Sequence, residues 1–190
     1  PFFIFPYSPK EENQVQELSQ LLFSTLRKNG ASILEINLYD LCADLIQERG
    51  YWDKLISKES ALKKKQLKDQ IQNLTQVDSK IVPAIAQKIQ SQPDLQILFI
   101  TGVGLVYPFI RSHNLLNNLQ KEAKEFPTVM FFPGEYTFTE GRGQSLDLFG
   151  ILNEDKYYRA FNIEEYKLHS WILETFSKNQ SIAPLRASLR

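Results

Sequence analysis

The sequence predicts a three-layer α/β fold in which a mostly parallel, five-stranded sheet is flanked by helices, a P-loop or Rossmann-like core. Three observations carry this reading. Strand-like and helix-like segments alternate twice within the first 50 residues. The strand candidates are near-continuous apolar runs, as suits strands covered on both faces. A further run, Leu95 to Ile100, breaks at Thr101-Gly102-Val103-Gly104, and a helix-period pattern begins just beyond. At 190 residues with 43% hydrophobic side chains, the chain reads as a single α/β domain with enough apolar surface for a core.

In chain order, Phe2 to Pro6 is the first strand, and Ser8-Pro9-Lys10-Glu11 meets three helix-start rules together. Ser8 can cap, Pro9 suits the first helical position, and Glu11 can close a capping box. The helix carries Val15, Leu18, Leu22 and Leu26 on one face and stops at Gly30. Ser32 to Ile36 is the second strand. Asn37 caps the helix that follows, with Asp40 at its third position and Leu38, Leu41, Cys42, Leu45 and Ile46 as its apolar face. Residues 51 to 92 contain no glycine and are largely polar, which predicts a helical insertion on one side of the sheet: one helix through Leu67, Ile71 and Leu74, another through Ile81, Ile85 and Ile89 with Pro83 in its first turn. After the central strand and its helix, Thr128 to Phe132 is a fourth strand ended by Pro133-Gly134. Residues 136 to 149 suggest a hairpin across Glu140-Gly141-Arg142-Gly143. Tyr157 to Phe161 is the last strand. Asn162 and Glu165 would cap a C-terminal helix carrying Tyr166, Trp171 and Phe176, within a helix and tail spanning about 163–190.

Composition excludes several function classes. The 22 basic residues balance 22 acidic ones, so no global field steers the chain toward nucleic acid or an anionic membrane. One cysteine, Cys42, rules out an internal disulfide and a thiol-rich zinc site, which suits a reducing cytoplasm. The apolar runs fall short of the ~18 to 20 residues a membrane span needs. Because the chain opens at Pro1 directly in a strand, an N-terminal segment is expected to precede it.

The nucleotide motifs fail one by one. Gly102-Val103-Gly104 begins a dinucleotide fingerprint, but Tyr107 stands where its third glycine belongs. No phosphate-binding P-loop exists, and its usual place after the first strand holds Tyr7-Ser8-Pro9-Lys10. Gly143-Gln144-Ser145-Leu146-Asp147 misses the nucleophile elbow at its second glycine. His113 could act as a base or ligand, although a single His beside Arg111 and Asn114 on a helix is more commonly structural. Arg111 could pair with a carboxylate or phosphate near the Gly102 turn, or form an ion pair with Glu135 or Asp147. Lys63-Lys64-Lys65 reads as a solvated face. No metal-ligand cluster and no cofactor site emerge. If any ligand binds, it binds at the strand ends, where Tyr7, Ser8, Asn37, Asp40, Thr101, Gly102, Glu135 and Tyr136 should converge and where Gly102 and Gly104 leave backbone N–H groups uncovered.

Several stretches together resemble one family. They are Pro1-Phe2-Phe3-Ile4-Phe5-Pro6-Tyr7, Glu35-Ile36-Asn37-Leu38-Tyr39-Asp40, Thr101-Gly102-Val103-Gly104 with Pro108 to Leu119, Met130-Phe131-Phe132-Pro133-Gly134-Glu135-Tyr136, and Tyr157-Tyr158-Arg159-Ala160-Phe161. Their pattern is similar to the BrxB family, the small component of BREX bacteriophage-exclusion systems, over residues 1 to about 163, and departs at Thr137 to Arg142, where family members carry a shorter loop. The resemblance implies a cytoplasmic antiviral defence component that works beside a PglZ-like protein, a DNA methyltransferase and a large ATPase, with no catalytic residue to carry over. The expected function is therefore a non-catalytic adaptor that binds a partner such as the PglZ-like protein. Its alternative is a regulatory subunit that binds nucleotide or nucleic acid. Candidate ligand- or partner-binding residues are Tyr7, Asn37, Asp40, Thr101, Gly102, Gly104, Arg111, His113, Asn114, Glu135 and Tyr136.

Overall fold

A computed structural model describes residues 1–59, 61–139, 143–149, 152–153 and 160–166. Strands β1 (Phe2–Tyr7), β2 (Ile33–Asn37), β3 (Ile97–Thr101), β4 (Thr128–Thr139) and β7 (Ala160–Asn162) form a sheet in the order β2-β3-β4-β1-β7. Every pairing along this path is parallel, with Ile36 opposite Ile100, Ile100 opposite Met130 and Met130 opposite Ile4. The four apolar runs expected to be parallel neighbours are so. Strands β5 (Gly143–Leu148) and β6 (Leu152–Asn153) add an antiparallel extension to β4.

Strand side chains alternate between faces, so each run feeds two cores. On one face Phe99, Val129 and Phe131 pack against α1 (Glu12–Lys28), whose Phe23 is fully buried and lies 4.6 Å from the Phe99 ring between centroids. On the other, Ile4, Leu98, Ile100, Met130 and Phe132 meet α2 (Leu38–Glu48), α5 (Val82–Gln90) and α6 (Ser112–Leu119). Helices α3 (Trp52–Glu59) and α4 (Lys64–Leu74) complete the chain between α2 and α5. Among the described residues no helix is long and apolar enough to cross a membrane.

Local rules set most boundaries. α1 ends in a Schellman arrangement: Gly30 takes φ +84°, its N–H reaches the Arg27 carbonyl, and the Ala31 N–H reaches that of Leu26, both at 3.0 Å. Asn37 Oδ1 caps α2 by accepting from the N–H groups of Tyr39 and Asp40. At the first helix the capping box gives way to a 3-10 turn, Pro9–Glu11: Ser8 Oγ accepts from the Lys10 N–H, and the Glu11 N–H bonds the Ser8 carbonyl.

Tertiary contacts overrule other expectations. The described residues between 51 and 92 hold three α-helices where two were expected; the additional one, Trp52–Glu59, forms where Trp52, Leu55 and Ile56 recur at helical spacing. The helix after β3 starts only at Ser112; a 3-10 turn, Gly104–Val106, comes first, and Pro108 has no N–H to extend it. β4 does not stop at Pro133-Gly134 but runs to Thr139. Pro133 needs no ladder donor there, and a Cβ at Gly134 would strike the Asp147 carbonyl of β5, so the glycine admits a close strand approach. The hairpin expected over 136 to 149 forms, pairing Tyr136 with Leu146, while its tip at 140–142 lies outside the described residues. The last described strand is Ala160–Asn162; residues 157–159, where it was expected to begin, and the residues of the expected C-terminal helix beyond Tyr166 lie outside the described residues.

Candidate functional site

β1 and β4 are paired from Phe2 opposite Thr128 to Tyr7 opposite Pro133, and there they part. The chain after Tyr7 turns into α1, whereas β4 continues as one arm of the hairpin. Their divergence opens a cleft of about 680 Å³ at the carboxyl ends of the parallel strands, where open α/β sheets take ligands. Phe5, Tyr7, Tyr136 and Phe149 supply aromatic walls, and Glu11, Glu135 and Glu164 supply carboxylates.

Both tyrosines are fixed by their hydroxyls. Tyr7 donates to Glu12 Oε2 at 2.7 Å, and Tyr136 donates to the Ala160 carbonyl at 2.6 Å. Burial pushes both phenols well above their ordinary pKa, helped by Glu12 at Tyr7 and by the charge of Glu165 at Tyr136. Near neutral pH neither serves as a phenolate base, and each presents a ring rather than a free hydroxyl. Phe149 holds φ +58°, a left-handed conformation uncommon for a bulky residue, with its N–H on the Pro133 carbonyl at 2.9 Å. Gly104 sits against it: a Cβ there would lie 2.9 Å from Pro133 Cγ and 3.2 Å from the Phe149 ring.

The other candidates gather in separate places. Asn37, Asp40, Thr101 and Gly102 meet at the neighbouring exits of β2 and β3, where Asn37 is opposite Thr101 and where a Cβ at Gly102, whose φ is +69°, would run into the Asn37 side chain. Thr101 donates its hydroxyl to Glu35 Oε1 at 3.2 Å. Asn37 and Asp40 border a polar hollow of about 320 Å³. Arg111, His113 and Asn114 sit at the head of α6, and none of them lines the strand-end cleft. Arg111 is exposed and makes no ion pair with Glu135 or Asp147 among the described residues; those two face each other across the hairpin. No group of three or more metal-ligating side chains occurs among the described residues.

A second surface was not foreseen. Between α2, α3, α4 and the turn after β3 runs an apolar groove of about 400 Å³. Trp52, Ile56, Leu105 and Tyr39 line it with 38, 57, 57 and 50% of their surface exposed. Cys42 lies in its floor, and burial pushes that thiol up to about 12. The signal for this surface was the i, i+3, i+4, i+7 spacing of Trp52, Leu55, Ile56 and Glu59.

A parallel α/β sheet with a strand-end cleft, and with Tyr7-Ser8-Pro9-Lys10 where a phosphate loop would be, defines a P-loop-like protein without the phosphate grip. Comparison with known proteins places it more narrowly. The chain belongs to the BrxB family: the family model described as BREX protein BrxB matches residues 34–163, from within β2 to just past β7. A "BREX protein BrxB" of Bacillus cereus (strain H3081.97) is 38% identical over 170 residues, 85% of this chain and 82% of that protein. Another, from Escherichia coli O9:H4 (strain HS), is 30% identical over 163 residues, 85% of this chain and 77% of its own length. No solved structure matches the chain.

Proposed function

We propose that this chain is a non-catalytic adaptor of a BREX phage-defence system that docks on another component, the PglZ-like protein first among them, with the system's methyltransferase and ATPase as further partners. The observation that carries the reading is the apolar groove beside α3, where four large hydrophobic side chains stay exposed together rather than scattered. Its described lining is apolar apart from Thr75 and Glu59, so an amphipathic helix that lays an apolar stripe into it is the occupant that fits.

Chemistry supports the non-catalytic part. Cys42 is kept a thiol and Ser8 Oγ caps a turn, so neither is paired with a base that would activate it. Co-purification from cells expressing the whole system tests the proposal. The wild-type chain should retain a BREX component, and Ile56→Lys, which leaves folding intact because Ile56 is exposed, should lose it. Retention of the same partner by a folded Ile56→Lys variant would rule the groove out.

A further inference from the structure

The geometry points to the strand-end cleft as a binding site for an organic cation, a guanidinium or ammonium group on an apolar stem, rather than for the phosphates that this position takes in related folds. Topology fixes the location and the lining fixes the ligand class. β1 and β4 are neighbours whose chains leave in different directions, α1 on one face of the sheet and the hairpin above it, so their exits bound a crevice open to solvent. Its volume, about 680 Å³, suits a side chain with its backbone or a small amine, far more than a bare ion.

The walls repel an anion and attract a cation. Glu11, Glu135 and Glu164 enter from three elements, the first helical turn, β4 and the turn after β7, and no Lys or Arg stands among the described lining residues. The donors in the described lining, Ser8, Gln14, Thr137 and Asn162, are all neutral, and Pro9 has no N–H, so no cationic group there balances a phosphate against the three carboxylates. The Tyr7 and Tyr136 rings line the same cleft and are fixed by hydroxyl bonds to Glu12 and Ala160, so the aromatic surface beside the carboxylates is preorganised for a cation. Phe149 closes the same cleft from a left-handed backbone conformation, the kind of outlier that persists where surroundings over-determine it.

This site is distinct from the groove beside α3, so the two stand or fall separately. Isothermal titration of the chain at low ionic strength uses three probes: a short peptide carrying two arginines, spermidine, and Mg-ATP. At least one of the first two should bind, weaken as salt is added, and weaken about tenfold in the Glu11→Gln/Glu135→Gln double variant, while Trp52→Ser leaves it unchanged. Both carboxylates are at exposed positions, so the double variant should melt with the wild type. Preference for the peptide assigns the cation to a protein partner, and preference for spermidine assigns it to a free polyamine. Failure of both cations to bind wild-type protein overturns the inference. So does binding that persists in the folded double variant, or tighter binding of Mg-ATP than of either cation.

Discussion

At the scale of single residues, the contact between Gly102 and Asn37 is a sharp test of how the β2 and β3 exits are built. Gly102 sits at φ +69°, and a Cβ on it would run into Asn37 Oδ1, the atom that caps α2. Gly102→Ala should therefore cost about 2–3 kcal/mol, from left-handed strain and from displacing the cap. Asn37→Ala should cost about 1 kcal/mol by itself. Because the second change removes the atom that the first one strikes, the double variant should be less destabilised than the sum, and a urea-denaturation cycle would read the difference. Additive costs would mean that the cap is not what Gly102 protects. Cys42 gives a second residue-scale expectation. Its folded pKa is raised by burial to about 12 from an ordinary 9.0, so the folded state favours the thiol. The stability this contributes is fully present below pH 9 and is lost as pH rises toward 12. Tyr7 and Tyr136, also raised, extend the loss further into the alkaline range. Denaturation midpoints from pH 8 upward should fall, and Cys42→Ala should remove the part that begins first. A Cys42→Ala protein whose alkaline loss begins at the same pH as wild type would reject this assignment.

At the scale of elements, α1 and α3 are opposites, and their difference explains what the sequence made visible. α1 packs on one face of the sheet. Phe23, packed at 4.6 Å from Phe99 and 6.0 Å from Phe131, should cost about 3–5 kcal/mol when cut to Ala, enough to shift thermal melting by many degrees. α3 has no fully buried residue, so Ile56→Lys should move stability by less than about 0.5 kcal/mol while removing partner retention. A large loss of stability in that variant would make the groove a core feature instead of a docking surface. The start and stop of α1 were legible because Ser8, Pro9 and Gly30 act within one turn of themselves. Those of α3 were obscured by Lys54, Lys58 and Glu59 in a polar stretch, where apolar spacing has no core to answer to. Pro133 and Gly134 misled for the opposite reason. They look like a strand stop locally, and only the approach of Asp147 from β5 shows that the strand needs a glycine there. Of the site, the strand-end meeting of Tyr7, Glu135 and Tyr136 followed from α/β topology, whereas Phe149 and Glu164 join it through hairpin and edge-strand pairings with no periodic signal.

At the scale of the whole molecule, the order β2-β3-β4-β1-β7 is a parallel α/β plan whose strand-end crevice lacks the chemistry of a phosphate site. β1 still leads through a short turn into a helix at the sheet's crevice, which is where a P-loop would wrap β- and γ-phosphates with successive N–H groups, a Lys and a Mg²⁺-binding hydroxyl. In this chain the turn contains no glycine, Pro9 deletes one donor, Ser8 is committed to Lys10 N–H, and the facing wall carries Glu135. The other glycine turn, at Gly102, leaves room for the Asn37 cap of α2, and a 3-10 turn over Gly104–Val106 follows it in place of an α-helix, since α6 begins only at Ser112. Mg-ATP should therefore leave thermal unfolding unchanged. The measurement has power, because a ligand present at about a thousand times its Kd adds about 4 kcal/mol to stability. Millimolar Mg-ATP binding at micromolar Kd would thus raise the melting temperature by several degrees. Such a rise, lost in Gly102→Val with the fold retained, would restore the nucleotide-binding alternative and put the ligand at the β3 exit instead of the acidic cleft.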